Sequence, residues 1–255
     1  MVVSVIKELF RTNFIKSKVY LKDTLLLVLY DLLIFLVQVL FFRIIYLHVL
    51  KIEGWSFGDI LFLLATSQIV ETLYYALFFG GLAYTNDWVV EGTLDYFLIL
   101  PQYRKLYMIL YAVDVKKFLS LVFPIFLLYK FAPFKSLWDV GIYVAFVLIG
   151  LFTRFSFGYL VSSLVMVFTR ISAIQAVEME LFSYSNFPYV IYHGVWKWVF
   201  LFLIPVGVVA NGPVSFFKDH TYMVISISFL TGVSFFLLAN MAYRVFMKRY
   251  QSAGG

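Results

Sequence analysis

Asp31, Glu71 and Arg154 stand deep inside long apolar stretches, where each must find a countercharge, a cavity or water. An unpaired charge at the centre of a lipid-embedded helix costs about 3 kcal/mol or more, so such residues mark sites. Glu71 falls at the middle of one apolar run and Arg154 at the middle of another, so the two share a depth. They can pair directly, or through Gln68 and Tyr75, which flank Glu71 on one helix face. Two roles fit such a pair: a polar patch on a transport path, or a buried pair that orders the helices. Asp31 lies about seven residues into its run, roughly 10 Å deep at 1.5 Å per residue, within reach of a basic interfacial lead or of cytosolic water. Arg43, near the other end of that run, is long enough to snorkel.

Nothing else in the chain has the makings of a reaction centre. There is no GxxxxGK[ST] phosphate loop, so nucleotide cannot be held in the Walker manner, and no HExxH or DDxxD pattern. His48, His193 and His220 fall on separate segments without metal-ligand spacing. Cysteine is absent, which removes thiol nucleophiles, thiolate metal sites and disulfides. The expectation is a non-enzyme with no catalytic residue, no metal and no cofactor of its own.

The elements that must hold these side chains are membrane helices. Of 255 residues, 63% are hydrophobic, 21% aromatic and only 13% charged, with a mean hydropathy of +0.93, which excludes an ordinary soluble domain. The net charge of +6 would suit nucleic acid, but the basic residues border apolar runs and form no stripe, so membrane orientation accounts for them and no nucleic-acid partner is expected. Aromatic abundance reflects packing against the core and lipid and does not by itself indicate an aromatic cargo.

Hydropathy predicts an all-α membrane protein with six transmembrane helices at about 24–47, 58–84, 116–133, 138–167, 198–217 and 222–243. Lys116 and Lys117 force a late start on the third, and Pro205 with Asn211-Gly212-Pro213 breaks the fifth. Unwound backbone at that depth needs protein or water around it. Residues 1–23 read as an amphipathic interfacial helix, with Val2, Ile6, Leu9, Phe10 and Phe14 on one side and Lys7, Arg11, Lys18 and Lys22 on the other. The first apolar run lacks a small-residue cleavage site, so it is expected to remain as a span. With both termini cytoplasmic, inner segments hold 14 Lys and Arg and outer loops 4, which fixes the orientation. Residues 24–247 form one domain, and 248–255 a cytoplasmic tail.

The loop after the second span carries a separate signal. Gly92 and Thr93 look like a helix start, Asp95 sits where the helix dipole favours an acid, and Pro101 stops the element after about two turns. Leu94, Phe97, Leu98 and Pro101 share a face next to Glu91. A short helix with an exposed apolar face either binds a partner or lies flat on the inner leaflet.

Glu91-Gly92-Thr93-Leu94-Asp95 followed by Leu100-Pro101 resembles the coupling-helix motif of the type-2 ABC exporter permeases, which occupies the same loop. Asn186-Phe187-Pro188-Tyr189, Trp196-Lys197-Trp198, Leu203-Ile204-Pro205 and the tail Lys248 to Gly254 are similar to further stretches of a prokaryotic subgroup. Asp95 departs from the glutamate common at that place. The resemblance implies a permease dimer, homo- or heteromeric, over two ATP-binding-cassette subunits, which would carry ATP and Mg, with 91–101 seated in a groove of the ATPase. It also implies an inner gate helix at Phe187 to Lys197, involving Phe187, Pro188 and Tyr189; a surface helix in an aromatic belt is compatible.

The expected function is therefore the permease subunit of an exporter in a prokaryotic plasma membrane, moving a hydrophobic or amphipathic compound such as a drug, antibiotic or lipid-like product. The alternative is an ion- or proton-coupled secondary transporter that uses Glu71 and Asp31 as titrating sites.

Overall fold

In a computed structural model of the chain, residues 7–8, 11–15, 21–99, 104–168 and 172–250 are described. Val2, Ile6, Leu9, Phe10 and Lys18 of the lead, Pro101 and the tail from 251 onward lie outside them. Residues 11–15 are helical, and Arg11 pairs with Glu8 one turn back at 3.6 Å.

Helix α1 spans Leu21–Ile45. A loop with one isolated bridge, Ile52 to Trp55, leads to α2, Phe57–Tyr74. The start of α2 is fixed by Ser56 and Asp59: each side chain takes up the other's backbone N–H, so the orphan donors of the first turn are satisfied. The helix then loosens into a π-helical stretch, Tyr75–Phe79, and resumes as α3, Gly80–Val90. Gly80 and Gly81 are required there, because a Cβ on either would lie within 2.5 Å of the carbonyl oxygen of Ala112 or of Ile109. The short α4, Leu94–Leu98, and α5, Arg104–Leu110, follow. A 3₁₀ turn, Val115–Leu121, begins where the Asp114 side chain accepts from Lys116 N, and it runs into α6, Val122–Phe131.

The long α7, Leu137–Phe168, packs along α12, Met223–Arg249. Small residues let the two approach: a Cβ on Gly232 would stand 2.8 Å from Thr153 Oγ1, and Thr153 Oγ1 donates to Ser228 O at 2.7 Å. Between them in sequence lie α8, Ser172–Ser183; α9, Gly194–Trp198, continuing as a π stretch over Val199–Leu203; α10, Val206–Val209; and α11, Asn211–Asp219.

The described residues form helices and no strand. Among the described residues four stretches are long and apolar enough to cross a membrane: Lys22–Ile45, Phe57–Val89, Leu137–Leu164 and Met223–Lys248. The expected third and fifth crossings are segmented. The third divides into a 3₁₀ turn and ten residues of α6, because Asp114 starts the turn in an extended conformation. The fifth is interrupted at Ile204, extended at φ −125 and ψ 93, immediately before Pro205, which cannot donate to the turn behind it. Helix α2 is the centre of the bundle, buried from Ile60 to Ser67 on every side, whereas α1 turns Leu25, Leu29, Leu33, Val37 and Leu40 outward.

Candidate functional site

Arg154 of α7 is fully buried and holds two carboxylates at once. Its Nε donates to Glu71 Oε1 of α2 at 2.8 Å, and its Nη1 donates to Glu178 Oε1 of α8. Both faces of the guanidinium are covered by rings, Tyr74 at 3.7 Å and Phe182 at 3.8 Å from centroid to Cζ. The geometry follows from spacing: α2 offers a carboxylate and a ring three residues apart, α8 a carboxylate and a ring four apart. Each pair therefore lies on one helical face, and a planar fork between the helices meets acids at its edge and π faces above and below. Tyr74 Oη donates to Glu178 Oε1 at 3.1 Å and closes the ring of contacts. Gly158, one turn beyond Arg154, makes room, since a Cβ there would come within 2.1 Å of Tyr74 Oη.

The depth argument from sequence thus places Glu71 and Arg154 correctly side by side, and the direct contact makes a bridge through Gln68 or Tyr75 unnecessary. The third member, Glu178, was missed. Its segment reads as a slow approach to a crossing, but α8 returns into the bundle with Glu178 inward. The signal available was the Glu178-to-Phe182 spacing, which repeats the carboxylate-and-ring pattern of Glu71 and Tyr74.

Among the described residues Asp31 finds its partners on the 3₁₀ turn, while Lys16 and Lys18 of the lead lie outside them. Both of its carboxylate oxygens accept from Lys117 Nζ at 2.9 Å, and Oδ2 also accepts from Ser120 Oγ at 2.7 Å. The contact has a simple cause: the 3₁₀ turn leans on α1 and points Lys117, counted in sequence only as an orienting charge, along the bundle toward the acid. Arg43 lies over the Phe57 ring at 5.5 Å.

Asp31, Gln68, Glu71 and Tyr75 all line one open cavity of about 910 Å³, formed between α1, α2 with its π stretch, the 3₁₀ turn and α8. Glu71 is the hinge between the two arrangements: one edge is bound to Arg154 while 16% of its side chain remains exposed. Chemically the cavity can accept donors and positive charge and can hold an apolar body against its tyrosines.

The loop helix α4 faces the other way from its expected orientation. Leu94 is 0% and Phe97 9% exposed; they pack with Trp88 of α3, Met108 of α5 and Tyr243 and Phe246 of α12. The Trp88 and Phe97 rings are 4.0 Å apart. Leu94 and Phe97 are therefore anchors, and the outward face belongs to Tyr96, 72% exposed, and Ile99, 77%, with Glu91 beside them. Leu98 and Asp95 lie between the two faces. An amphipathic helix joined to a bundle at both ends buries its greasiest side on its own chain first. Gly92, at φ 72, closes α3 rather than starting α4, and Thr93 makes no side-chain cap.

Phe187, Pro188 and Tyr189 form an irregular segment clamped by Asn211, whose Oδ1 accepts from Tyr189 N at 3.0 Å and whose Nδ2 donates to Phe187 O at 3.2 Å. The Phe187 ring packs on Phe42 at 5.5 Å. Phe42 is eleven residues beyond Asp31 on α1, roughly 16 Å along the axis, toward the end opposite α4. The residues expected at an inner gate thus lie against Phe42 near the Ile45 end of α1, held there by Asn211 beyond the break at Ile204.

Against known proteins, a family model described as ABC-2 family transporter protein matches residues 32–254. No curated protein and no solved structure gives a match.

Proposed function

The chain belongs to the ABC-2 transporter family, and from that premise we propose that it is the permease subunit of an exporter whose ATP is bound and hydrolysed by a separate ATP-binding-cassette subunit. Its α4 helix carries the proposal: an outward face of Tyr96 and Ile99 backed by an inward face locked to α3 and α12. A helix so anchored behaves as a rigid lever. Force applied at Ile99 reaches α3 through Trp88 and α12 through Tyr243 and Phe246. Along α3 it meets the π stretch Tyr75–Phe79, a natural point of yield, where Ala76 O is taken up by Asp114 N at 2.8 Å outside the helix ladder. Beyond that stretch stands Glu71 and the cavity.

In this scheme two permease copies, or one with a similar partner, sit over two ATPase subunits in a prokaryotic plasma membrane, with both termini cytoplasmic. The four long helices cross fully, and the segmented stretches 115–131 and 194–219 complete the fifth and sixth crossings. ATP-driven closure of the ATPase pair must shift the balance between inward and outward arrangements by roughly 5 kcal/mol to invert their populations. The cargo is a hydrophobic or amphipathic molecule held in the cavity of Glu71 and Asp31.

Purification of the chain in mild detergent tests the assignment. An ATP-binding-cassette subunit should accompany it at one to one, and vesicles containing both should export with ATP. Flux driven by a pH gradient in vesicles of the chain alone, without any ATPase, would assign Glu71 and Asp31 to a proton-coupled cycle instead.

A further inference from the structure

The cavity of Glu71 has a neighbour. A second cavity, also about 910 Å³, lies beside α4 and is lined by Glu8, Asp87, Glu91, Trp88, Tyr107 and Tyr111. Asn13, Tyr84 and Ala112 belong to both walls, so the two adjoin. In the first, Asp114 and Glu180 join Asp31 and Glu71. Seven of the chain's 14 acidic residues thus line the joined cavities, against two, Lys116 and Lys117, among the described lysines and arginines. The chain as a whole carries +6, so the segregation runs against its own bias.

The cations nearby leave this excess standing. Arg11 is paired with Glu8 and Lys117 with Asp31, the buried Arg154 is outnumbered by Glu71 and Glu178, and Asp87, Glu91 and Glu180 stand outside these pairs. Low-dielectric walls focus the resulting negative potential into the cavity. Tyr30, Tyr75, Tyr84 and Trp88 add aromatic faces, which attract cations and accept apolar groups. Among the described residues no three histidines or carboxylates converge to hold a metal ion, so the charge is spread as a large organic ion would need it.

We propose that the joined cavities bind a monovalent organic cation with a bulky apolar body, admitted past Asp87 and Glu91 and seated against Glu71. This names the cargo class of the permease described above and rests on that assignment. An anion of the same size would be rejected by the same field.

Tetraphenylphosphonium and tetraphenylborate, alike in size and opposite in charge, make the test. Equilibrium dialysis of the purified full chain in neutral detergent, corrected for empty micelles, should show saturable tetraphenylphosphonium binding and tetraphenylborate at least about tenfold weaker. Glu71→Gln should weaken the phosphonium about tenfold, the folded double variant Asp87→Asn Glu180→Gln about threefold, and Asp219→Asn, outside both cavities, should leave it unchanged. Equal affinity for the two ions, or full phosphonium affinity in the Asp87 and Glu180 variant, overturns the proposal. A chain that carries its ATP-binding-cassette partner yet takes both ions alike keeps the permease assignment and loses the cargo class. Selective phosphonium binding without such a partner does the reverse.

Discussion

Two ionic groups join distant parts of this chain, and they are built to different standards. Arg154 is sealed: 0% of its side chain is exposed, two carboxylates bind it, and two rings cover its faces. Asp31 and Lys117 form a one-to-one pair, 12% and 22% exposed, on the wall of a large cavity. In a low dielectric, the first cannot lose a member without stranding a charge, whereas the second can exchange its partner for water or ligand. A sealed cluster specifies how α2, α7 and α8 meet; an open pair leaves its acid available to what enters the cavity.

The largest expected effect follows from removing the centre of the sealed cluster. Arg154→Leu strands Glu71 and Glu178 together and should cost about 3–5 kcal/mol, seen as loss of a monodisperse peak in detergent size-exclusion chromatography. Arg154→Lys should rescue little, since an ammonium cannot serve two carboxylates along one edge and stack between rings. Exchanging the charges of Glu71 and Arg154, which restores a two-membered pair, should fail as badly as Arg154→Leu, because Glu178 would then face a second carboxylate. A swap that restores folding would reduce the cluster to a simple pair and erase the distinction from Asp31.

Next in size is a steric test of the same seal. Gly158→Val drives a side chain into Tyr74 Oη and should cost about 1–3 kcal/mol by overpacking, measured as a lowered Tm in detergent. Asp31→Asn should cost less, about 1 kcal/mol, because water in the cavity can solvate the released Lys117. Should Asp31→Asn unfold the chain as Arg154→Leu does, the open pair is structural too.

The sequence made part of each site legible. Depth counted along two apolar runs was enough to bring Glu71 to Arg154, because helices crossing the same membrane share a vertical scale. Glu178 escaped because its helix is too short and too polar to register on that scale, and its position depends on a return that hydropathy does not encode. Lys117 escaped for the opposite reason: as a flanking basic residue it already had an explanation. The long helices α1, α2, α7 and α12 could be placed from composition, whereas the segmented stretches could not, since Asp114 and Pro205 say where a helix stops and not where the chain then goes. At α4 the apolar periodicity identified the helix but assigned its face to a partner, because a period has no direction in space.

On the exposed side of α4 that last difference gives the smallest effect on stability and the sharpest one on coupling. The two sides of α4 should separate cleanly: Leu94→Asp buries a charge among Trp88, Met108 and Tyr243 and should destabilise the fold by about 3 kcal/mol or more, with transport lost as a consequence. Ile99→Asp places the same charge on the exposed side and should change Tm by the equivalent of less than about 0.5 kcal/mol. Yet it should lower ATP-driven transport strongly, or detach the ATPase, because a carboxylate in a desolvated groove between subunits is left unpaired. Tyr96→Asp should behave alike and Tyr96→Phe should not, since the ring alone fills the contact. If Ile99→Asp transports normally while retaining its ATPase, the outward face of α4 is not the docking surface, and the drive must reach α3 and α12 elsewhere.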